Sequence, residues 1–537
     1  MRGRTISAPH RIVIADPIAA EGVQALREHA EVVLAKGRSP VELKALLRDA
    51  DALVVRSQTQ VDAALIADAP RLRVIGRAGI GVDNVDVEAA SRRGIVVVNA
   101  PTSVVVAAAE HTLALILSLC RRIPQAHQSL TAGRWERGRF VGTELRGKTV
   151  GVIGLGNIGV EVARRLGAFE VRLIGYDPYV SPEYAARLGI QLLDLDELVA
   201  RADIVTVHVP LTAGTHHLID ATRLARFKSG ARLINCARGE IVDERAVADA
   251  LAEGRLAGAA LDVFASEPPD RTALLESDRV VLTPHLGAST EEAQVAAAVE
   301  IADSVLALLD GRPVRSAVNA PSIRPESLVA LAPYLDLGER LGYVMAQLLD
   351  RPITSLEIGY HGEIADWDTV VVKSAIVKGL LRAASPEYVN LMNALLLAKS
   401  RGLQIVESHC ATPQENVANL VSLKVREASG LVGELAGTAV NREPHLLRVD
   451  TYHIDVLLDD GYLLFVQHKD QPGVVGKIGT LLGDGDVNIS AMQVGRRERR
   501  GDAMMVLAID EPLDEALRQR LLGEPPIRAA RLVQLTS

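Results

Sequence analysis

The sequence predicts an α/β protein built mainly on doubly wound parallel sheets, and three observations predict this fold class. From about residue 10 to residue 310, short β-branched runs alternate with segments whose apolar residues recur at helical spacing. One of these runs ends in a glycine-rich turn, Gly154 to Gly159, that leads into a helix. The C-terminal segment has the order of a βαββαβ unit. At 537 residues, the chain is long enough for several domains.

The composition excludes several classes of protein. Hydrophobic residues make up 48% of the chain, which is enough for packed cores, and a net charge of −8 argues against a general nucleic-acid binder. The cysteines, Cys120, Cys236 and Cys410, are far apart and odd in number, so neither a disulfide framework nor a zinc site is predicted. No signal peptide or membrane-spanning run is recognised. We therefore expect a cytoplasmic protein without a metal and without a nucleic-acid or membrane partner.

The first hundred residues predict a parallel α/β unit. Strands are predicted at residues 11–16, 32–34, 52–57, 72–81 and 96–98, with helices at residues 22–29 and 41–48. Ligands bind such sheets at the carboxyl ends of the strands. Arg56, Ser57, Arg77 and Gly79 fall at those ends, which makes them candidate ligand contacts.

A long helix at residues 106–119 is predicted to connect this unit to the next one. A basic loop centred on Trp135 follows at residues 133–139. Two interpretations stay open, because clustered charges are usually just exposed. The loop is either a solvated surface turn or a dimer arm that places Arg134 or Arg137 near a neighbouring site.

The segment from Lys148 to Asp177 has the order strand, glycine turn, helix, strand, acid, and predicts a dinucleotide site. Gly154 allows the tight turn, Gly156 lets the backbone approach a pyrophosphate, and Gly159 lets the helix pack on the strand. The helix N-terminus offers free N–H groups to the phosphates. Asp177 is placed to accept the ribose hydroxyls and to repel a 2′-phosphate, which favours NAD over NADP. The alternative is a glycine-rich turn in an ordinary βαβ unit.

Further strands are predicted at residues 204–209, 231–236, 259–263 and 279–282, each ending in a distinctive motif. Moving a hydride from a secondary alcohol to nicotinamide needs a base, a carboxylate that holds the base, and a cation for the substrate. Arg238, Glu267 and His285 supply these groups just after strands of the same sheet. The alternative is a surface ion-pair network.

The rest of the chain predicts two smaller units after a linker. The helix at residues 291–309 ends at residues 310–321, where glycine and proline stop it. Residues 322–457 mix helices with strand-like runs and contain no motif that we can connect to chemistry. From residue 463 the order is strand, helix, strand, strand, helix, strand.

These motifs resemble those of a known family. The glycine turn with Asp177, the segment Asn235 to Glu240, the segment Asp262 to Pro268 and the segment Pro284 to Ser289 resemble the D-isomer-specific 2-hydroxyacid dehydrogenases. Residues 76–86 and the two extra C-terminal segments are similar to the long form of the phosphoglycerate branch of that family. The resemblance implies two Rossmann-like doubly wound parallel-sheet domains, then an α+β intervening domain and a ferredoxin-like βαββαβ ACT domain. It implies a substrate-binding domain at 1–106 and 296–319, an NAD-binding domain at 107–295, an intervening regulatory domain at 320–457 and the ACT domain at 458–537.

The resemblance also implies an activity and a set of contacts. The reaction is the NAD-dependent oxidation of 3-phospho-D-glycerate to 3-phosphohydroxypyruvate, the first step of L-serine synthesis. Arg238, Glu267 and His285 are the implied catalytic residues, with His285 taking the C2 hydroxyl proton. Implied NAD contacts, besides Gly154, Gly156 and Gly159, are Ile80, Asn157, Ile158, Asp177, Val209, Cys236, Ala237, Arg238, Asp262, His285, Leu286, Gly287 and Ala288. Implied substrate contacts are Arg56, Ser57, Arg77 and Gly79.

In the ACT segment, Asp470 and Asn488 match positions that hold an amino-acid effector, which implies serine. Asp470 can hold the ammonium group, and the helix start at Gly473 offers N–H groups to the carboxylate. The alternative is that Asp470 only caps its own turn. The family resemblance further implies a homodimer or homotetramer.

The chain departs from the family pattern at one turn. Members usually follow the Pro-Thr-Ser turn with an asparagine near the substrate, whereas here Ser103 is followed by Val104, Val105 and Val106. Valine side chains donate no hydrogen bond, so the departure implies a lower affinity or a different substrate. Two other functions therefore stay open. One is a glyoxylate or hydroxypyruvate reductase of the same family, and the other is an NAD-sensing scaffold without catalysis.

Overall fold

The computed structural model describes residues 10–312, 314, 316–320, 325–349, 353–382, 389–427 and 430–535. Pro313 and Pro321 of the predicted linker lie outside the described residues. No helix in the described ranges is long and apolar enough to cross a membrane. The same ranges contain no group of histidine, cysteine, aspartate and glutamate side chains that could hold a metal ion.

The N-terminal unit is a parallel sheet covered by helices. Its elements are β1 (Arg11–Ile14), α1 (Ala20–Arg27), β2 (Glu31–Leu34), α2 (Pro40–Leu47), β3 (Ala52–Val55), α3 (Ala63–Ala67), β4 (Val74–Arg77), α4 (Val87–Arg92) and β5 (Val96–Asn99). The strand order is β2-β1-β3-β4-β5, and all pairs are parallel. The central strand β3 is buried along its whole length, as expected for a parallel sheet with both faces covered. The order reverses between β1 and β3, which opens a crevice at the carboxyl ends of the strands.

The second unit has a larger parallel sheet. Its elements are α5 (Val105–Arg121), α6 (Ile123–Thr131), β6 (Thr149–Ile153), α7 (Asn157–Gly167), β7 (Arg172–Tyr176), α8 (Pro182–Arg187), β8 (Ile190–Leu192), α9 (Leu195–Arg201), β9 (Ile204–Val207), α10 (Ala221–Leu224), β10 (Ala231–Asn235), α11 (Glu244–Ala252), β11 (Leu256–Leu261), α12 (Ala273–Glu276), β12 (Val280–Leu282) and α13 (Glu291–Leu309). The strand order is β12-β11-β10-β9-β6-β7-β8. Its reversal point lies between β6 and β9, where dinucleotides bind in Rossmann folds.

The chain returns to the first unit after β12. Helix α13 packs against α1 and β4. The contact with α1 is close, because a Cβ at Gly22 would lie 2.6 Å from the Cβ of Ala298. Beyond α13, the N–H of Val318 donates to the carbonyl of Val97 in β5 at 2.8 Å. The two parallel sheets are therefore joined by two connections, α5 and the segment leading into α13.

The third unit has a mixed sheet. Its elements are α14 (Pro325–Leu348), β13 (Ser355–Gly362), α15 (Val370–Arg382), α16 (Ala394–Ser400), β14 (Gln404–Cys410), β15 (Asn419–Glu427), β16 (Gly430–Val440), β17 (Glu443–Val449) and β18 (Tyr452–Leu457). The strand order is β14-β13-β15-β16-β17-β18, and only the β13–β14 pair is parallel. Asn390 connects this unit to the first one, because its side-chain amide donates to the carbonyl of Gly94 at 2.6 Å.

The last unit is the predicted βαββαβ domain. Its elements are β19 (Gly461–Lys469), α17 (Val474–Asp484), β20 (Ile489–Arg496), β21 (Asp502–Ile509), α18 (Glu515–Leu522) and β22 (Ile527–Leu535), with strand order β20-β21-β19-β22. Leu464 and Val466 of β19 pack under its own helices. Leu463 and Phe465 on the opposite face join the core of the third unit. The predicted fold class is confirmed.

Candidate active site

The glycine turn between β6 and α7 has the geometry that a pyrophosphate requires. Gly154 has φ +91°, in the left-handed region that favours glycine. A Cβ at Gly159 would lie 2.0 Å from the carbonyl oxygen of Gly154, so only glycine lets α7 approach β6 this closely. Gly156 is the N-cap of α7 and provides no side-chain cap. The first N–H groups of α7 are therefore available to an anionic ligand.

Asp177 follows β7 and faces the same turn. Its Oδ2 accepts the N–H of Leu155 at 2.8 Å, and its Oδ1 accepts the N–H of Tyr179 at 2.9 Å. These bonds fix the carboxylate beside the glycine turn. Each carboxylate oxygen has a second lone pair, so Asp177 can still accept hydroxyl groups from a ribose. The turn, the helix start and this acid together fit an NAD molecule.

His285 and Glu267 form a hydrogen-bonded pair at the carboxyl ends of β11 and β12. The distance from His285 Nδ1 to Glu267 Oε2 is 2.8 Å. The other oxygen of Glu267 accepts the N–H of Phe264 at 3.1 Å, which orients the carboxylate. About half of the His285 side chain is exposed, and Glu267 holds Nδ1, which leaves Nε2 as the nitrogen for a ligand. An imidazole held by a carboxylate in this way is the arrangement of a general base.

Arg238 reaches from the second unit to the first. Its Nε donates to Asp83 Oδ2 at 2.9 Å, and its Nη1 donates to the carbonyl of Ala237 at 2.7 Å. Asn235 at the end of β10 is completely buried and holds the turn below it, because its side chain bonds both the Ala237 N–H and the Arg238 carbonyl. A Cβ at Gly81 would lie 1.9 Å from Arg238 Nη2, so this glycine leaves room for the guanidinium.

Arg77, at the end of β4, lies close to Arg238 without pairing with it. Burial, followed by the repulsion of Arg238, lowers the pKa of Arg77 to about 10, against the attraction of Asp83. Its buried Nε has no hydrogen-bond partner among the described residues. A Cβ at Gly79, where φ is +150°, would lie 1.7 Å from Arg77 Nη1. Because the positive charge of Arg56 also acts on Arg77, these arginines form a cationic cluster.

The remaining predicted contacts occupy the edges of the same crevice. Asn157 and Ile158 open α7, Val209 follows β9, Cys236 and Ala237 follow β10, Asp262 follows β11, and Leu286, Gly287 and Ala288 follow β12. Ile80 and Ala288, from different units, pack on one apolar cluster. Ser57 is exposed just after β3. The structure thus places the predicted residues at the carboxyl ends of the two parallel sheets.

Two other reactive side chains near this crevice are unsuited to proton transfer. Burial lowers the pKa of His208 to about 4, and its Nε2 lies 2.9 Å from the hydroxyl of Thr206. Burial raises the pKa of the Cys236 thiol to about 12, which keeps it protonated. Neither group matches the pKa near the working pH that a general base or a nucleophile needs. His285 is thus the better candidate base.

The three valines that depart from the family pattern do not share one environment. Val104 and Val105 are buried, and Val104 packs among alanines of the first unit. Val106 is 50% exposed and lines a cavity of about 600 Å³ together with Thr102 and Asn157. The departure therefore places Val105 and Val106 at this cavity, whereas Val104 lies in the core of the first unit.

Three domain families match successive parts of the chain. The NAD-binding domain of the D-isomer-specific 2-hydroxyacid dehydrogenases matches residues 113–287. The intervening domain of D-3-phosphoglycerate dehydrogenases matches residues 330–450. An ACT domain matches residues 462–525.

Full-length relatives decide which family this is. A D-3-phosphoglycerate dehydrogenase from Methanocaldococcus jannaschii is 43% identical over 526 residues, which span 98% of this chain and 100% of the relative. This chain belongs to the D-3-phosphoglycerate dehydrogenase family. The D-3-phosphoglycerate dehydrogenase of Synechocystis sp. is 44% identical over 98% of this chain and 95% of its own length. A solved D-lactate dehydrogenase from Aquifex aeolicus, complexed with NAD and lactic acid, is 29% identical, with a TM-score of 0.53 over 58% of this chain and 100% of that chain.

Family membership confirms the predicted enzyme class and cofactor. The chain is an NAD-dependent dehydrogenase of D-2-hydroxy acids. Its ACT domain indicates that a small molecule regulates it.

The structure does not bring the two predicted effector residues together, because Asp470 precedes α17 and Asn488 follows it, at the opposite end of the β19–β21 pair. Asp470 follows β19, and its Oδ2 accepts the N–H of Arg500 at 3.0 Å and lies 3.4 Å from Arg496 Nη1. The Arg500 hydrogen bond and the charge of Arg496 hold the pKa of Asp470 below its ordinary value. The Asn488 side chain donates to Asp510 Oδ2 at 2.6 Å. Asp470 is thus ionised, and its carboxylate bonds the β20–β21 connection.

Sequence reasoning missed several residues that shape the site. Asp83 pairs with Arg238 across the two units, although it lies inside the motif at residues 76–86. Asn235 holds the Arg238 turn and opens another quoted motif. His111, on α5, contacts Asp262 at 3.1 Å. The only signal for His111 was a polar residue within an apolar helix.

Proposed function

We propose that this chain oxidises 3-phospho-D-glycerate to 3-phosphohydroxypyruvate with NAD, in the first step of L-serine synthesis. The observation that carries this proposal is the cationic cluster of Arg56, Arg77 and Arg238, which lies at the carboxyl ends of parallel strands, as does the His285–Glu267 pair. A substrate with a carboxylate at one end and a phosphate at the other would neutralise guanidinium groups that now repel one another. Relatives named D-3-phosphoglycerate dehydrogenase over nearly the whole chain support the same substrate.

Separate groups of residues would bind NAD, take the proton and bind the substrate. The Gly154–Gly159 turn, the start of α7 and Asp177 would hold NAD, which when bound supplies the acceptor for a hydride from C2 of the substrate. His285 would take the C2 hydroxyl proton at Nε2, because its Nδ1 is held by Glu267. Arg238 would grip the carboxylate and stabilise the negative charge that develops on the C2 oxygen.

A substrate panel tests this function. NADH formation is measured with 3-phospho-D-glycerate, D-glycerate and D-lactate, and NADH consumption with glyoxylate and hydroxypyruvate. We expect the highest kcat/KM with 3-phospho-D-glycerate. A preference for glyoxylate or hydroxypyruvate would favour the reductase alternative, and no turnover with any of these acids would favour a scaffold.

Arg56→Ala is expected to separate a phosphate-binding site from a plain 2-hydroxyacid site. One charge-assisted hydrogen bond to the phosphate is lost, so KM for 3-phospho-D-glycerate should rise about 10- to 100-fold with little change in kcat. KM for D-glycerate, which has no phosphate, should stay the same. The control is Arg48→Ala, which removes an exposed arginine of the same sheet unit. An equal loss for both acids would exclude Arg56 as a phosphate contact.

We also propose that L-serine inhibits the enzyme through the ACT domain. The ionised Asp470 would hold the ammonium group, and the N–H groups at the start of α17 would donate to the carboxylate. With Asp470→Asn, we expect the serine concentration for half-inhibition to rise about tenfold or more, because a charged partner is lost. Asp484→Asn, at the end of α17, is the control. If serine leaves the wild-type rate unchanged in the millimolar range, this proposal is wrong.

Residues beside the active-site unit support a homodimer or homotetramer. Several apolar side chains at α6 and in the loop after it are half or more exposed: Ile123, Leu130, Trp135 and Val141. Exposed apolar side chains close together in the sequence are commonly part of an interface in oligomers. We propose that residues 123–141 form the contact between two copies, with Arg134 or Arg137 reaching toward the neighbouring site.

A further inference from the structure

The turn that carries His285 is held by one buried carboxylate. Asp262 is completely buried at the end of β11. Its Oδ1 accepts the N–H of Leu286 at 2.7 Å, and its Oδ2 accepts the N–H of Gly287 at 2.8 Å. His285 itself has φ +54°, a left-handed conformation that a non-glycine residue keeps only where its neighbours enforce it. Asp262 therefore fixes the backbone that orients His285.

His111 binds this carboxylate from another part of the fold. It lies on α5, which connects the two parallel sheets, and its Nε2 is 3.1 Å from both Asp262 Oδ1 and Thr283 Oγ1. Thr283 donates its hydroxyl hydrogen to the same Oδ1 at 2.5 Å. Both neighbours of Nε2 are then acceptors, so Nε2 carries a hydrogen and donates it. Burial raises the pKa of Asp262, but the bonds from His111, Thr283 and Leu286 hold that pKa below its ordinary value.

We infer that His111 is a positioning residue for the dehydrogenase reaction. Its Nε2–H orients the Asp262 carboxylate, which holds the turn and thereby directs the imidazole of His285 at the substrate. The same hydrogen bond ties the turn to α5. This role in catalysis rests on the proposed function of His285. The contacts between His111, Asp262 and the turn are independent of that function.

The inference predicts a specific kinetic signature for His111→Ala. A loosely held His285 spends less time in the reactive orientation, so kcat should fall about 10- to 100-fold. KM for the hydroxy acid should change little, because the arginine cluster that binds it lies on other strands. The isotope effect on kcat with deuterium at C2 should increase, because hydride transfer then limits the rate.

A conservative variant and a control variant distinguish a positioning role of His111 from a nonspecific loss of structure. His111→Gln keeps a donor close to the position of Nε2 and should recover most of kcat. Thr283→Val removes the other side-chain donor to Asp262 and should also lower kcat. In the double variant with His111→Ala, the loss of kcat should be smaller than the product of the two single losses. His29→Ala, which changes an exposed histidine just after α1, should behave as the wild type. A fall in kcat that glutamine does not recover, or a rise in KM at unchanged kcat, would overturn the inference.

A second measurement does not depend on activity. Amide hydrogen exchange is followed by mass spectrometry in a peptide that covers residues 283–288 of the full-length protein. We expect His111→Ala to speed exchange in this peptide by about tenfold or more, with unchanged exchange in β6. Unchanged exchange at residues 283–288 would contradict the positioning role. If the wild type were inactive and exchange were still faster in His111→Ala, the proposed function would be wrong, but the link from His111 to the turn that carries His285 would be supported.

Discussion

Replacing His285 with asparagine is expected to lower kcat by about 10²- to 10⁴-fold, the usual contribution of a general base. Asparagine keeps a polar side chain of similar reach but cannot accept a proton at neutral pH. NAD binding should persist, because the glycine turn and Asp177 lie on other strands of the sheet. The measurements are the initial rate of NADH formation and the NAD dissociation constant from fluorescence titration.

Two further variants complete this experiment. His29→Asn changes an exposed histidine of the first unit and should leave the rate unchanged. Glu267→Gln removes the charge that holds Nδ1 of His285 and should give a loss of turnover smaller than that of His285→Asn. A fully active His285→Asn protein would exclude the imidazole as the base.

Replacing Arg238 with lysine is expected to give the second large loss, about 10²- to 10³-fold in kcat/KM. Lysine keeps the positive charge, but it cannot present two parallel donors to a carboxylate. It also cannot donate to Asp83 and to the substrate with the same planar group. Both kcat and KM should change, because we assign Arg238 a role in binding and in stabilising the developing charge.

Arg255→Lys is the matched control for this prediction. Arg255 follows α11 in the same unit and pairs with exposed Glu253, at 2.6 Å. An exposed ion pair contributes little to stability, so the activity of Arg255→Lys should equal that of the wild type. If Arg238→Lys were as active as the control, the guanidinium group would not be required for substrate binding or for stabilising the developing charge.

Patterns within single segments were predictable from the sequence. The glycine turn, the helix after it and Asp177 are neighbours along the chain, so spacing alone indicates how they meet. The alternation of strands and helices predicted two parallel sheets, and the fold confirms them. The carboxyl ends of parallel strands lie at one edge of a sheet, which is why Arg238, Glu267 and His285 were proposed as a group.

Contacts between distant segments were not predictable in this way. Arg238 and Asp83 meet because two sheets face each other across a crevice, and no spacing rule relates residues 155 positions apart. His111 is a polar residue within an apolar helix, and only the packing of α5 on β11 brings it to Asp262. The valine run predicted three apolar groups near the substrate, but Val104 lies in the core of the first unit, and the other two valines line the cavity.

The most direct test is a crystal structure of the His285→Asn protein with NAD and 3-phospho-D-glycerate bound. We predict that the substrate carboxylate lies on the guanidinium of Arg238. The C2 hydroxyl should lie within hydrogen-bond reach of the side chain at position 285, about 2.6–3.2 Å away. A substrate bound with C2 turned away from position 285, or with its carboxylate far from Arg238, would contradict the proposed mechanism.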